Sequence, residues 1–238
     1  MAIQTIQYFR DKFITGYVIT EQDYQDWLDT IEDLNNIFKA GSGNFSIEAV
    51  NDSSPTSTGS YSMSIGSSYN EGDFSFTAGD FCDNLSNYSA VLGNSNSNSG
   101  ENSFVAGNSN INEGENGATL NSNNKSEGDN SISVGKSNDS KSYCELNAGM
   151  YSEDYTANSK TDYDVNDKVF VVGNGVDASN RNDAFTVWKG GAIQIKGTDI
   201  NSFTPVEGMI AIDSFTSTLN VFYNGLWHTI INMAGFQQ

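Results

Sequence analysis

Hydrophobic residues recur along the middle of the chain in pairs with one residue between them. The pairs are Met63/Ile65, Phe76/Ala78, Ala90/Leu92, Phe104/Ala106, Ala118/Leu120, Ile132/Val134 and Leu146/Ala148. Alternation of this kind is the period of a β-strand with one covered face. Directly after each pair stands Gly66, Gly79, Gly93, Gly107, Asn121, Gly135 or Gly149. Glycine and asparagine tolerate positive φ, so each short strand is expected to end in a corner. A polar stretch follows, as in Asn94–Ser99. The unit then reopens at Gly59, Gly72, Ser86, Gly100, Gly114, Gly128 and Ser142, at spacings of 13, 14, 14, 14, 14 and 14 residues.

A fixed short period predicts units that stack on one another. The expected fold is mainly β: a parallel β-roll of seven 14-residue coils, each a strand, a corner and a polar return, with the hand left open. The apolar pair is expected to line the inside. Ordering 14 residues costs roughly 14–28 kcal/mol, while two buried apolar side chains return about 3–6 kcal/mol. Ladder hydrogen bonds add only about 1 kcal/mol each. So thin a core predicts several chains around one axis, and a homotrimer is the expected assembly. Seven coils at about 4.8 Å per coil would make a shaft of roughly 30–35 Å.

Residues 1–43 read differently. Thr20 followed by Glu21 and Asp23 forms a helix start. Trp27, Ile31, Leu34 and Phe38 recur at spacings of 4, 3 and 4, which predicts one apolar stripe on a helix of about 19 residues ending near Gly41. These four residues are the candidates for attachment and trimerisation. The expected organisation is a helical foot over 1–43, the roll over 44–158 and a β tip over 159–238. In the tip, Val169–Val172, Arg181–Val187 and the residues after Gly190-Gly191 read as strands, and Gly173-Asn174-Gly175 as a turn. Asn224-Gly225 marks a hairpin between Val221–Tyr223 and Leu226-Trp227.

Composition narrows the function. With 11 basic and 30 acidic residues the net charge is −19, which argues against nucleic-acid binding. No run approaches the ~20 apolar residues of a membrane helix, and Met1–Arg10 lacks the pattern of a secretion signal. Cys82 and Cys144 fall at different phases of their units and are expected to be free, buried thiols. Aromatics at 12% and the strict period argue against disorder.

No catalytic, cofactor-binding or metal-binding residue is assigned. The only histidine, His228, sits beside Trp227 in a strand and reads as structural. No G-x-S-x-G nucleophile motif, His/Cys cluster or calcium loop is present. Among 30 acids no catalytic pair can be singled out. Tyr61, Phe74 and Tyr88 occupy one phase of the first three units, and are candidates either for stacking on sugars or for plugging one end of the roll. At the same phase Asn102, Asn116 and Asn130 are expected to form a stacked amide ladder.

Three resemblances add to this. Ser103-Phe104-Val105-Ala106-Gly107 and Ser131-Ile132-Ser133-Val134-Gly135 resemble the S-x-A-x-G repeats in the heads of trimeric autotransporter adhesins, over about 100 residues. Phe13–Ile31 resembles an N-terminal pattern of structural proteins from phages that infect Bacteroidetes, although Ile19 stands where proline is usual. The segment from Pro205 to Asp213 and that from Leu219 to His228 resemble a short β module of phage fibres. The resemblances imply a homotrimeric virion fibre, on the head or the tail, without cofactor or enzymatic activity. It would be held to capsid or tail proteins through residues 1–43, exposed on the virion surface, and adhesive to host-surface glycans. A glycan-cleaving spike and a bacterial trimeric adhesin are the alternatives. The first is disfavoured by the narrow coil. The second is disfavoured because signal and membrane anchor are missing from this sequence.

Overall fold

The computed structural model describes residues 20, 22, 24–26, 38–49 and 56–232. The chain forms two compact units, Met1–Asn121 and Ser122–Gln238. Its repeats build a parallel β-solenoid of about seven turns of about 14 residues. The first unit contains β1 (Phe38–Ala40), β2 (Ile47–Ala49), β3 (Thr56–Ser57), β4 (Met63–Asn70), β5 (Phe76–Asn84), β6 (Ala90–Asn94), β7 (Ser97–Asn98), β8 (Phe104–Asn108) and β9 (Ile111–Asn112). β10 (Ala118–Ser122) is followed in the second unit by β11 (Lys125–Ser126), β12 (Ile132–Lys136), β13 (Asp139–Ser140) and β14 (Leu146–Met150).

In β4 and β5 one strand carries the apolar pair, the corner and the return; from β6 to β13 each turn has a five-residue strand with the pair and the corner, and a two-residue strand in the polar return. Equivalent residues stack in register: Ala90 on Phe104, Leu92 on Ala106 and Gly93 on Gly107 in the first unit, Ile132 on Leu146 and Gly135 on Gly149 in the second. The shorter first spacing is absorbed by a register shift between Ser67 and Tyr69.

The seven corners all have positive φ, from 81° at Asn121 to 143° at Gly79. At Gly107 a β-carbon would also run into the backbone carbonyl of Asn121. Two further left-handed positions per turn carry no glycine and were missed in the sequence. Counting the opening residue as zero, these are position 2 (Tyr61, Phe74, Tyr88, Asn102, Asn116, Asn130, Cys144) and position 9 (among them Ser95, Ser109, Ser137), all with φ near 55°.

The strand period is as expected, but the faces are reversed. The residues between the apolar partners are the interior ones: Ser64, Thr77, Val91, Val105, Thr119 and Ser133 are all fully buried. The apolar pairs point outward and are half-buried or exposed. Space explains the inversion. A 14-residue coil is too narrow for Met, Phe or Leu; Ser, Thr, Asn, Val, Cys and Gly fill its regular turns, with Glu48 and Glu145 the larger exceptions. Cys82, Val91 and Val105 are the sole small apolar cluster there among the described residues.

The interior is therefore held by hydrogen bonds. Asn96 donates from Nδ2 to the Leu92 carbonyl (2.7 Å) and to the Gly107 corner carbonyl of the next turn (2.8 Å), and its Oδ1 accepts from Asn110 N (2.9 Å). Asn110 repeats the two donations to Ala106 and Asn121, as does Asn138 to Val134 and Gly149. Ser68 Oγ lies 3.1 Å from the Ile65 carbonyl and 2.9 Å from the Gly79 carbonyl, so its one proton is shared between them. A second amide ladder runs through Asn84, Asn98 and Asn112: Asn98 donates to Asn84 Oδ1 at 3.1 Å and Asn112 to Asn98 Oδ1 at 2.9 Å. At position 3, Ser62 and Ser89 donate to the carbonyls of Gly59 and Ser86, both at 2.5 Å. The expected ladder of Asn102, Asn116 and Asn130 is not the one formed, because those residues sit on the exposed left-handed position.

The ladder extends beyond the sequence period at both ends. Ile47 pairs in parallel with Met63, so a turn precedes Gly59, out of step with the 14-residue spacing. After an intervening loop, β15 (Lys168–Asn174) pairs in parallel with β14, placing Gly173 beside Gly149. Gly173 and Asn174 thus lie in a strand rather than in a turn. β16 (Asp183–Trp188) and β17 (Ile193–Ile195) follow antiparallel, joined at Gly190-Gly191 as expected. β18 (Ile210–Asp213), β19 (Thr218–Tyr223) and β20 (Leu226–Asn232) form a small antiparallel sheet. Asn224 (φ 56°) and Gly225 (φ 77°) make its hairpin turn.

Other expectations change. Gln22 and Tyr24–Asp26 are helical, and Tyr24 N donates to Thr20 O (3.1 Å), consistent with a helix start there. The helix does not reach Gly41, since Phe38–Ala40 is a strand antiparallel to β2, with Phe38 opposite Ala49. Phe38 therefore leaves the proposed stripe: its backbone is paired in the sheet. Trp27, Ile31 and Leu34 lie outside the described residues. Both cysteines are free and Cys82 is buried, but Cys144 is exposed at position 2.

The corner and its clamp are expected to be the most sensitive points of the shaft. Gly107→Val would force a β-branched residue into a left-handed position and against a carbonyl. Asn96→Leu would strand two carbonyls and one N–H. Each is expected to destabilise the fold by about 2–4 kcal/mol, whereas Asn121→Gly leaves it unchanged or slightly more stable, as read by thermal unfolding.

Candidate functional site

The most extensive unusual feature of the surface is the apolar face of the solenoid. Met63, Ile65, Leu92 and Leu120 in the first unit and Val134 in the second are half-buried. Phe104, Ile132 and Leu146 remain 41%, 40% and 37% exposed. Because equivalent residues stack in register, these side chains form a continuous apolar ridge within each unit instead of scattered single contacts. Contiguous apolar surface of this kind is a candidate interaction site.

A second stack lies at position 2. The rings of Phe45, Tyr61, Phe74 and Tyr88 follow one another at centroid distances of 5.1, 4.9 and 5.5 Å, with interplanar angles of 19°, 8° and 6°. All four residues have φ between 53° and 56°. A left-handed non-glycine residue costs roughly 1–2 kcal/mol, and a stacked aromatic pair returns about 0.5–1.5 kcal/mol, so stacking offsets much of the strain. Sugars stack on aromatic faces. Here Tyr61 and Phe74 each have a neighbouring ring on both sides, and their edges rather than their faces are turned to solvent. Phe45, which heads the stack, was not singled out in the sequence because its turn is out of phase.

The second unit holds a buried polar cluster at Glu145, where earlier turns place serine or glycine. Only 1% of Glu145 is exposed. Its Oε2 accepts from the backbone N–H of Lys141 and Ser142 (both 2.9 Å) and from the Tyr155 hydroxyl (2.6 Å), while Oε1 is buried without a hydrogen-bond partner. Burial raises the Glu145 pKa above the ordinary 4.5; the Tyr155 hydroxyl, the two N–H groups and the Lys168 ammonium oppose it. Tyr155 is itself pushed up, by burial and then by the Glu145 carboxylate. Nearby, Lys168 pairs with Asp183 at 2.7 Å, both almost fully buried, and its ammonium lies 4.4 Å from the Tyr155 ring centroid. Asp167 accepts from Asn158 N (2.7 Å) and Ser159 N (3.0 Å), tying down the loop before β15. Removing one partner of such a buried network leaves an uncompensated charge.

Among the described residues, no group of three or more His, Cys, Asp or Glu is placed to hold a metal ion. No helix among them is long and apolar enough to cross a membrane. His228 is exposed, with Nε2 3.0 Å from the Tyr223 carbonyl, a contact that closes its own hairpin. The chain matches no family model, no curated protein and no solved structure.

Glu145 makes the stability of this end depend on pH. Its folded pKa is raised, so the stability its protonated form contributes is full below about 4.5 and is lost as pH rises through the elevated folded value. Glu145→Gln removes that loss. The melting temperature of the variant relative to the parent is expected to rise between pH 4.5 and pH 7; a constant difference would show that the carboxyl is not perturbed.

Proposed function

We propose that this protein is the subunit of a structural virion fibre. Three copies associate through the apolar faces of their solenoids, residues 1–43 hold the fibre to the head or tail of a phage, and the remainder projects outward to adhere to host-surface glycans. The observation that carries this reading is the inverted solenoid. Its interior is closed by polar side chains, and its apolar residues are turned out along the shaft.

A chain that hides its polar residues and exposes its apolar ones is built for covering. If association covers about 100 Å² of apolar surface per turn, it contributes about 2.5 kcal/mol per turn at ~25 cal/mol per Å². Added over several turns, that is comparable with the roughly 5–15 kcal/mol by which folded chains are ordinarily stable. Closed cyclic symmetry limits such growth to a discrete particle. The likeness of Ser103–Gly107 and Ser131–Gly135 to trimeric adhesin heads favours three copies. The low pI of about 4.1 suits a solvated outer surface that repels other acidic macromolecules. The role is mechanical and adhesive and requires no catalytic group.

Sedimentation tests the assembly. The full chain is expected to run as a particle of three 25.8 kDa subunits at micromolar concentration. A folded single chain under those conditions would overturn the proposal. Removing residues 1–37, which leaves β1 in place, is expected to keep the trimer and abolish incorporation into virions. Incorporation of the shortened chain would move the anchor to another part of the molecule.

A further inference from the structure

The second unit contains a cleft of about 580 Å³ beside the small antiparallel sheet. That volume lies within the range of small-ligand sites, about 300–1,000 Å³. Its apolar wall combines the rings of Phe185, Phe203 and Trp227 with Ile195, Met209 and Ile210, and Phe203 and Trp227 meet edge to face at 6.1 Å and 85°. Phe222 meets Trp227 at 5.3 Å and 69°, holding the indole from the sheet. The polar lining includes Asn174 and Asn182. Asn182 Nδ2 donates to Asn174 Oδ1 at 2.6 Å, which leaves the Asn174 amide N–H groups and the Asn182 carbonyl to serve a ligand as adjacent donor and acceptor.

The cleft is braced by backbone bonds. Thr198, in its lining, donates from N to Ile212 O at 2.8 Å, and Ser214 N donates back to Thr198 O at 2.9 Å. These bonds tie the segment after β17 to β18, so the aromatic and amide walls are held by the backbone instead of by mobile loops alone. A preorganised site loses less entropy on binding.

Charge selects among ligands. The one cation in the lining, Lys196, is paired with Glu153 at 3.1 Å, and the chain as a whole carries −19. Nothing in the lining offers an uncompensated positive charge to a sialic or uronic acid. Aromatic rings beside an amide donor–acceptor pair match a neutral sugar, whose C–H face lies on a ring while its hydroxyls bond to amides. We infer that the cleft lined by Phe203, Trp227, Asn174 and Asn182 is a binding site for a short neutral oligosaccharide. This rests on the adhesive part of the proposed function and assigns it to the second unit rather than to the Tyr61–Phe74–Tyr88 stack of the first, whose inner ring faces are covered.

The full chain is applied to a printed array of neutral oligosaccharides built from hexose, N-acetylhexosamine and fucose, beside sialylated and uronate-bearing ones. At least one neutral oligosaccharide is expected to be retained. Trp227→Ala and Asn174→Ala are each expected to weaken that binding at least tenfold, and Tyr88→Ala to leave it unchanged. Phe203→Ala, at a partly exposed position in the segment before β18, serves where Trp227→Ala lowers the β-structure seen by circular dichroism. Retention of acidic oligosaccharides only, no retention of any neutral one, or unaltered binding by the cleft variants would overturn the inference. A trimer that binds no neutral sugar removes the cleft and leaves the fibre; a single chain that binds through the cleft does the reverse.

Discussion

A coil of about 14 residues has to reverse its backbone repeatedly in very little space, and the carbonyls at its corners must still find partners. The rest of the solenoid depends on this constraint. Asn96, Asn110 and Asn138 answer it by donating twice, once to their own strand and once to the next corner. Ser68, with one hydroxyl proton, stands between the same two kinds of carbonyl and serves them by a single shared donor. An amide is suited to the task because it offers two N–H groups and a carbonyl, and in Asn96 all three functions are used. Unmet buried carbonyls would each cost about 1–3 kcal/mol, a penalty that would be repeated on every turn.

From that requirement follows the direction of the side chains. Once the interior is given over to amides and hydroxyls, the alternating apolar residues must face out. Burial of apolar surface, the dominant driving force of ordinary folding, is then incomplete within one chain and is available for association. Strain is placed in the same way. Three left-handed positions per turn keep the coil tight; glycine relieves only one, asparagine and serine tolerate the others, and in the early turns stacked aromatic rings offset the cost. At Glu145 a carboxylate replaces the serine, and a network with Tyr155 and two backbone N–H groups takes over where the regular repeat ends.

Much of this was legible in the sequence. The corner residues Gly66 through Gly149 and the strand period identified the solenoid, and Asn224-Gly225 its terminal hairpin. The direction of the faces was not legible, because period two says that alternate residues share a face and not which face is inside. That decision belongs to the width of the coil. The amide clamps were written at a constant phase, Asn96, Asn110, Asn124 and Asn138, but a polar return looks the same whether it is solvated or sealed. Left-handed Phe45, Tyr61, Phe74 and Tyr88 carried no glycine to signal them. Phe38 fitted a helical stripe by spacing, yet pairing with Ala49 drew it into a strand. The cleft beside Trp227 draws on residues from Asn174 to Trp227, a span over which no local pattern could assemble it.

The central claim is that the apolar pair faces outward and is covered by sister chains. Replacing Ile65 and Leu92 together by glutamate tests it most directly, with circular dichroism and sedimentation read on the same sample. The account predicts a β-rich protein that sediments as a single 25.8 kDa chain, since charges on the outer ridge prevent association without entering the coil. Loss of the β-structure would place these side chains inside after all, and an undiminished assembly would place the contact between chains elsewhere.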